Sequence, residues 1–271
     1  MKEEVFKNIK EQLKNYKFSS LKYTEYEDIL DYDVICKDKE IILIFGYNKE
    51  AKLEEFHWVA NSAFSLLQEI SKLNKKGLIT FIPEEWINEF KDNNFHMYAV
   101  WNDYFNNDIS KSFECEEAME FLEECHCKEA SEVTLSCRDQ SRGFSGQTEE
   151  WMKQWIQGVE PSLTSSDCKG SAILLHREDG NIAGIVCVTT YAHDSEKGAI
   201  LWVREIAVRP EYQRRGIAKK LLTQALSYGK SHGAKRAFLM ADECNDHAIN
   251  LYNNMGFVAN KDETQNDMIL K

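Results

Sequence analysis

The sequence predicts an α/β (α+β) protein organised as two domains, over residues 1–128 and 129–271. Its 271 residues exceed the roughly 150 residues of an average domain. Short apolar runs bounded by Gly, Pro or Asn alternate with helix-prone segments, as expected where strands and helices share one chain. All eight arginines follow residue 130, whereas the residues before it carry nearly all of the net charge of −12. The two parts therefore differ chemically.

In the first part, apolar runs mark the strands and the helices lie between them. Residues 41–45 are a continuous apolar run closed by Gly46, which is typical of a buried strand. Pro83 with two following acids is typical of a helix start, because the helix dipole favours negative charge there. The predicted elements in chain order are strand 41–45, helix 61–70, strand 78–82, a helix from 83 and strand 95–101.

The second part has clearer boundaries. Asp179-Gly180-Asn181 between two apolar runs predicts a hairpin. Thr148, followed by two acids, is a predicted N-cap. The predicted elements are strand 132–137, a helix after 148, strands 172–176, 182–189 and 199–208, helix 216–231, strand 235–241, helix 245–255 and a last edge strand at 268–270.

Composition excludes several classes of protein. Apolar residues make up 43% and charged residues 29%, as in a water-soluble globular chain. No apolar run approaches the roughly 18 residues of a membrane span, and Glu3 and Glu4 stand where a signal peptide needs basic residues. The sequence therefore predicts a cytoplasmic protein without a membrane partner, and its negative charge argues against nucleic acid.

The cysteines predict free thiols and no metal. The eight cysteines are irregularly spaced, with none of the regularity of a disulfide framework. Cys125-His126-Cys127 is the one cluster of metal-ligating residue types, but it lacks the second ligand pair of the usual zinc spacing.

One turn concentrates positive charge at a predicted helix start. A strand ends at Ala207-Val208, and the helix that begins near Gly216 has Arg214 and Arg215 at its N-terminus, with Lys219 and Lys220 in its first turn. Cations are normally disfavoured at this end of a helix dipole. A bound polyanion explains the crowding, since helix N-termini bind phosphate; a solvated basic face is the alternative.

Two motifs identify a family resemblance. Gln213-Arg214-Arg215-Gly216-Ile217-Ala218, after a strand ending in Ala-Val, resembles the signature of the GCN5-related N-acetyltransferase (GNAT) superfamily. The later segment 245–257, with an Asn, an Ala, a Tyr and Gly-Phe, is similar to a second motif of that family. The resemblance covers roughly residues 131–271. Ala218 replaces the commoner second Gly, which the family pattern admits.

The resemblance implies a mixed, mostly antiparallel sheet flanked by helices, with acetyl-CoA as the cosubstrate and an amine as acceptor. It implies that Ala207 and Val208 contact the pantetheine arm and that Asn245 reaches the cofactor. Tyr252 would lie near the sulfur and protonate the departing thiolate. The phosphate-binding residues implied are Gln213, Arg214, Arg215, Gly216, Ile217, Ala218 and Lys219.

The two catalytic candidates each have a structural alternative. Glu205 lies on the strand beside the expected thioester, where it could take a proton from the amine; otherwise it is a carboxylate paired with Arg204 or Arg236. Tyr252, the candidate acid, could instead be a core residue packed at helical spacing.

The sequence thus predicts an N-acetyltransferase acting by direct attack of a primary amine, with a non-catalytic CoA-binding regulatory or interaction protein as the alternative. The order of elements in residues 41–101 parallels that in 199–259, so the first domain is interpreted as a degenerate copy in a tandem protein, or as an unrelated α/β domain. The turn expected to be equivalent, Gly46 to Ala60, has no Gly-x-Gly/Ala and predicts no CoA binding. The acidity of this domain suits a cationic amine. The sequence names neither the acceptor nor the oligomeric state.

Overall fold

The computed structural model describes residues 1–49, 51–111 and 118–271 and divides the chain into two compact units. The first unit comprises Met1–Trp101 and Gln265–Lys271, and the second comprises Asn102–Thr264. The domain boundary expected at 128/129 stays a prediction. No helix in the described ranges is long and apolar enough to cross a membrane.

The first unit combines short helices with a mostly antiparallel sheet. Its elements are α1 Glu3–Gln12, β1 Phe18–Ser19, β2 Asp33–Lys37, β3 Ile41–Asn48, β4 Leu53–Ala60, α2 Ala63–Leu73, β5 Gly77–Ile79, α3 Ile87–Asp92, the start of β6 Phe95–Asn106 and the end of β12 Val258–Leu270. Strands β2, β3 and β4 pair antiparallel, and β4 pairs parallel with β5. The end of β12 pairs antiparallel with β5. Residues 268–270, predicted as a last edge strand, are therefore the paired end of a longer strand.

The apolar run 41–44 is buried because both faces of β3 are covered. Ile41 and Leu43 pack in the cluster that includes α2 and α3, whereas Ile42 and Ile44 pack with α1. A strand buried on both faces has no polar alternation, which is why the sequence shows a continuous apolar run here.

The turn predicted over Gly46 to Ala60 is wrong. Most of that range is strand, because Leu53–Ala60 pairs residue by residue with β3. The strand-to-helix turn of this unit is instead Asn61-Ser62, and Ser62 caps α2 by accepting a hydrogen bond from the Ser65 N–H at 3.2 Å. This turn is too short to form a phosphate-binding loop and contains no glycine.

The second unit has a larger sheet. Its elements are the end of β6, β7 Glu120–Phe121, α4 Cys127–Leu135, α5 Glu149–Gln157, α6 Pro161–Ser165, β8 Lys169–Glu178, β9 Asn181–Tyr191, β10 Ala199–Val208, α7 Ile217–Ser231, β11 Ala234–Asp242, α8 Asp246–Asn254 and the start of β12. Strands β7 to β10 pair antiparallel in chain order, and β10 pairs parallel with β11. The mixed, mostly antiparallel sheet is therefore confirmed.

Helices cover both faces of this sheet. Leu221 and Ala225 of α7 pack in a core cluster with Leu201 and Val203 of β10. The opposite face packs against α4 and α5, where Trp155 is fully buried and its indole N–H donates to the Ala172 carbonyl at 3.1 Å. Strand β10 is thus held between two layers, which fixes the position of the residues at its end.

The strand predicted over 132–137 is wrong, because α4 runs from Cys127 to Leu135. Apolar residues alternate at Val133, Leu135 and Cys137, which imitates a strand. The observed buried side chains of Cys127, Ala130 and Val133 recur every third residue, as a helix face requires.

Candidate active site

The parallel pair β10–β11 separates before its strands end. The two strands pair from Ala199–Ala234 to Trp202–Phe238. Beyond that pair β10 continues to Val208 and β11 to Asp242 without pairing with each other. Backbone groups that face such an opening lack a sheet partner there and can bond an extended ligand. The opening lies at the carboxyl ends of two parallel strands, a common ligand position in α/β sheets.

A β-bulge at Arg204 changes which way β10 presents its side chains. Val203 lies opposite Val188 and Glu205 lies opposite Cys187, so Arg204 is an extra residue in the ladder with β9. A bulge bends the strand and re-aims the following side chain. After the bulge, Ala207 packs toward α4 and α5, whereas Val208 packs toward α7.

The turn after β10 is built by its own side chains. Gln213 Nε2 donates to the Val208 carbonyl at 2.8 Å, and the Cys137 thiol donates to the same oxygen at 3.3 Å. The Arg209 N–H donates to the Ala183 carbonyl at 2.9 Å. The amide of Gln213 therefore shapes the turn, and the Val208 carbonyl already has two donors.

Gly216 leaves the N-terminus of α7 open. Its φ of 82° lies in the left-handed region, and a Cβ built on it would meet no atom within 4 Å. No side chain caps the helix at this position. The first N–H groups of a helix lack intrahelical acceptors, so an anion can approach them here without a steric barrier.

The predicted phosphate-binding side chains differ in how they are placed. Arg214, Arg215 and Lys219 are exposed, and the Arg215 guanidinium donates to the Glu211 carbonyl at 2.9 Å and lies over the Tyr212 ring at 5.2 Å. Arg214 Nη1 lies 3.2 Å from each ring nitrogen of His247.

The remaining residues of this motif lie deeper. The side chain of Ile217 is buried in the α7 core, and Ala218 is half-buried beside it. Both residues can therefore offer a ligand mainly their backbone N–H groups.

Asn245 is the N-cap of α8. Its Oδ1 accepts a hydrogen bond from the Ala248 N–H at 3.2 Å, and its own N–H donates to the Asp242 carbonyl at 2.9 Å. Oδ1 thus already accepts one hydrogen bond, whereas the amide Nδ2 is a donor that could contact a cofactor.

Glu205 is a buried carboxylate with two donors on one oxygen. Gln147 Nε2 and Arg204 Nη1 each lie 2.7 Å from Oε1, and the residue is 7% exposed. Burial raises the pKa of Glu205 above its ordinary value, although the Arg204 charge and the Gln147 hydrogen bond oppose the rise. The predicted partner Arg204 is confirmed, whereas Arg236 bonds the Gly198 carbonyl instead.

Tyr252 lies in the core beside two aromatic rings. Its ring centroid lies 6.2 Å from that of Tyr104 and 6.2 Å from that of Phe257. Burial is the main cause that raises the pKa of Tyr252. The charge of Glu205 and the neighbouring Tyr104 raise it further. The two catalytic candidates therefore lie close enough to influence each other electrostatically.

Sequence reasoning missed the loop 138–147, which reaches this site at two points. Arg142 binds Asp242 through its backbone N–H at 3.0 Å and its guanidinium at 3.1 and 2.6 Å. Gln147 bonds Glu205 as described, and Gly146 has a φ of 78° with Leu135 pressed against it. The Gly-x-x-Gly spacing at 143–146 is the one sequence signal that marks a constrained loop here.

Asp242 is ionised despite full burial of its side chain. Burial opposes ionisation, but the bonds from Arg142 and the Cys244 N–H outweigh it and hold the pKa of Asp242 below its ordinary value. This pair joins the loop to the end of β11, the strand that borders the opening.

Comparison with family models finds a match over less than half of the chain. Residues 135–257 match the model described as the acetyltransferase (GNAT) family. That range contains every predicted cofactor-binding and catalytic residue.

Curated relatives match only part of their own length. The chain is 30% identical over 95 residues to a mycothiol acetyltransferase of Acidimicrobium ferrooxidans, covering 35% of this chain and 30% of the relative. It is 36% identical over 86 residues to the chloroplastic GCN5-related N-acetyltransferase 4 of Arabidopsis thaliana, covering 29% and 30%. The chain thus spans under a third of the length of these two relatives.

Solved structures share the fold over more of the chain. A GCN5-related N-acetyltransferase from Anabaena variabilis matches with a TM-score of 0.58 and 10% identity, over 99% of this chain and 70% of that one. One from Sphaerobacter thermophilus matches with a TM-score of 0.54 and 12% identity, over 85% and 80%. At these identities the likeness is one of fold.

The Arg142–Asp242 pair generates a stability prediction. Arg142→Leu leaves a buried carboxylate with its backbone donors alone, so we expect the free energy of unfolding to fall by about 2 kcal/mol at neutral pH. The stabilising contribution of a carboxylate with a lowered pKa is present above its unfolded pKa and is lost as the pH falls through the folded one. Urea unfolding at several pH values should therefore show the deficit shrinking in acid. Arg138→Leu is the control, because the Arg138 guanidinium donates to the Ser145 carbonyl of the same loop, so any deficit of this variant should not depend on pH. A pH-independent deficit in Arg142→Leu contradicts the assignment.

Proposed function

We propose that the protein is an acetyl-CoA-dependent N-acetyltransferase, which transfers the acetyl group to a primary amine by direct attack. The observation that carries the proposal is the opening between β10 and β11, which has an uncapped helix start at one end and a buried carboxylate on its wall. The GNAT match over 135–257 supports it.

The turn fits the pyrophosphate of the donor. Gly216 has open space where a Cβ would project, and the helix start offers backbone N–H groups with a positive dipole. Arg214, Arg215 and Lys219 are exposed around it and supply positive charge. The extended pantetheine arm fits the opening, because strand-like ligands bond free strand edges.

Attack requires a neutral amine, and Glu205 is the group we assign to make it neutral. Glu205 takes one proton from the ammonium group, directly or through a water. The neutral nitrogen then bonds the acetyl carbon, the carbon–sulfur bond breaks, and the second proton that the nitrogen loses passes to solvent. Oε1 already accepts two hydrogen bonds, so Oε2 is the oxygen that accepts the proton. A raised pKa makes this carboxylate a stronger base near neutral pH.

The departing thiolate also needs a proton. The raised pKa of Tyr252 keeps its hydroxyl protonated at neutral pH, so it can donate. The products are then the acetylated amine and free CoA, and each group must exchange its proton with solvent before the next turnover.

The acceptor is proposed to be a cationic amine. The chain carries a net charge of −12, which attracts cations and favours their encounter with the protein. The first domain is proposed not to hold CoA, because its Asn61-Ser62 turn is short and Ser62 already caps its helix. An enzyme that uses acetyl-CoA is expected in the cytoplasm.

A CoA-binding protein without turnover is the second candidate. The ion pair of Glu205 with Arg204 at 2.7 Å favours it, since a paired carboxylate is a weaker base. Measurement of free thiol released from acetyl-CoA with a panel of amines separates the two. Binding of CoA without turnover on any amine would support this candidate.

Gly216→Asp tests the phosphate site, with Gly233→Asp as a matched control. Both glycines have a left-handed φ, 82° and 83°, and open space around the Cβ position, so the backbone strain is similar. A carboxylate about 4 Å from a phosphate costs about 4 kcal/mol at an effective dielectric constant of about 20. We expect Gly216→Asp to weaken CoA binding at least about a hundredfold by calorimetry. Equal affinity in both variants would remove the site.

Tyr252→Phe tests the acid. The change deletes one hydroxyl and keeps the ring, so kcat should fall by about a hundredfold while CoA affinity stays unchanged. Tyr104→Phe, in the same core cluster, is the control and should keep kcat near that of the unmodified enzyme. An unchanged kcat for Tyr252→Phe returns this residue to packing alone.

Gln147→Leu tests the base through its positioning donor. Losing the hydrogen bond raises the pKa of Glu205, and the carboxylate must be ionised to accept a proton, so the acid limb of kcat/KM should move to higher pH. The other groups that face Glu205 are Arg204, Cys187 and Tyr252, and none of them changes.

Gln154→Leu is the control for this experiment, because Gln154 bonds Glu150 on α5 instead. A lower rate with an unmoved acid limb would make Gln147 structural. A profile without an acid limb in the unmodified enzyme would contradict Glu205 as the base.

A further inference from the structure

Three metal-ligating side chains meet just before α4. Glu123, Cys125 and His126 place one carboxylate oxygen, Sγ and one ring nitrogen within 4.8 Å of one another. Cys125 Sγ lies 3.4 Å from His126 Nδ1 and 4.0 Å from Glu123 Oε2. The arrangement lies within the second unit but outside the site described above.

The sulfur–nitrogen separation fits a tetrahedral ion, and the carboxylate must move closer to complete the site. Zinc bonds sulfur at about 2.3 Å, nitrogen at about 2.0 Å and oxygen at about 2.0–2.2 Å, so two ligand atoms of one tetrahedron lie about 3.4–3.6 Å apart. The sulfur–nitrogen distance already agrees. The sulfur–oxygen distance must shorten by less than about 0.6 Å, which a carboxylate torsion supplies.

Local backbone explains why these side chains converge. Residues Glu124–His126 form a 3-10 turn, and Glu123 before it is extended, with φ −99° and ψ 156°. A 3-10 turn repeats every three residues, which brings position 126 back above position 123. The sequence shows a cluster of Cys125, His126 and Cys127, for which no metal is predicted, and the structure changes one member of that cluster. Cys127 is buried with its Sγ 3.9 Å from the Glu123 carbonyl, and Glu123 replaces it.

The donor set selects the kind of ion. One thiolate, one imidazole and one carboxylate suit zinc or another divalent first-row metal, whereas Mg²⁺ and Ca²⁺ require oxygen ligands. Glu123 and Cys125 are exposed and His126 is half-buried, so solvent can reach a fourth coordination position.

We propose that Glu123, Cys125 and His126 bind one zinc ion, with the fourth position held by water. Helix α4 has nine residues and is about 14 Å long. The cluster stands at its start, whereas Cys137, which bonds the Val208 carbonyl, follows its end. The ion therefore does not touch the proposed acyl-transfer site, and its role is to hold the segment that enters α4.

The test uses the full chain, stripped of metal and kept reduced. Zinc is titrated in competition with a chromophoric chelator, and Co²⁺ is added separately to detect a thiolate-to-cobalt absorption band. We expect one zinc per chain. Removing a residue that only hydrogen-bonds a metal ligand lowers metal affinity about tenfold to a hundredfold. Removing a ligand itself, as in Cys125→Ser or His126→Ala, should therefore lower zinc affinity at least about tenfold.

Cys244→Ser is the matched control, because Cys244 is an exposed free thiol away from this cluster. It should bind zinc as tightly as the unmodified chain and keep the cobalt band, which Cys125→Ser loses. Circular dichroism of each variant checks that it is folded.

Three outcomes would overturn the site. The first is no zinc binding at micromolar concentrations, and the second is equal affinity in Cys125→Ser and the unmodified chain. The third is a loss in Cys127→Ser with none in Glu123→Gln, which would make Cys127 a ligand in place of Glu123. The readout is independent of acetyl transfer, so failure of the proposed function leaves this test intact.

Discussion

The separation of β10 from β11 after Trp202–Phe238 is the feature on which the rest of the site depends. A parallel pair normally closes its own hydrogen bonds, so strands that part must be held by other contacts. Here β10 is packed between α7 and the α4–α5 layer, and the Arg142–Asp242 pair fixes the end of β11. Two layers and one ion pair thus keep an opening that the sheet alone would close.

Burial changes two titratable groups in ways that suit the proposed acyl transfer. Removing Glu205 from water disfavours its charged form, which makes the carboxylate a stronger base near neutral pH. The same loss of water disfavours the tyrosinate form of Tyr252, which keeps its proton available. Gln147 and Arg204 limit the rise in the pKa of Glu205, because both stabilise the charged carboxylate that can accept a proton.

Local features of the site follow from the sequence, whereas its distant contacts do not. The bounds of β10, the start of α7 and the Thr148 cap were predictable, because strand runs, glycines and caps act within a few residues. The Arg142–Asp242 bond joins residues 100 positions apart, and Gln147–Glu205 joins residues 58 apart. No periodicity links such pairs, since the fold alone brings them together.

The two wrong element predictions have the same kind of cause. Residues 132–137 alternate as a strand would, but the helix buries every third or fourth position of a longer segment. The range Gly46 to Ala60 is predicted as a turn because it lies between a predicted strand and a predicted helix, yet Leu53–Ala60 satisfies its backbone against β3. In both places tertiary packing overrides a short local pattern.

The two crossover helices begin differently, and this difference supports the proposal that only the second unit holds a phosphate. In both units a parallel strand pair is joined through a helix, β4–α2–β5 and β10–α7–β11. Ser62 satisfies a backbone N–H of α2 with its own hydroxyl, so that helix start has less to offer an anion. Gly216 has no side chain to do the same for α7 and leaves the space above it open. An anionic ligand would take the place of the missing cap by accepting hydrogen bonds from the N–H groups at this helix start. The surrounding arginines contribute less, because exposed cations bind weakly in water, whereas oriented N–H groups fix the position of the ligand.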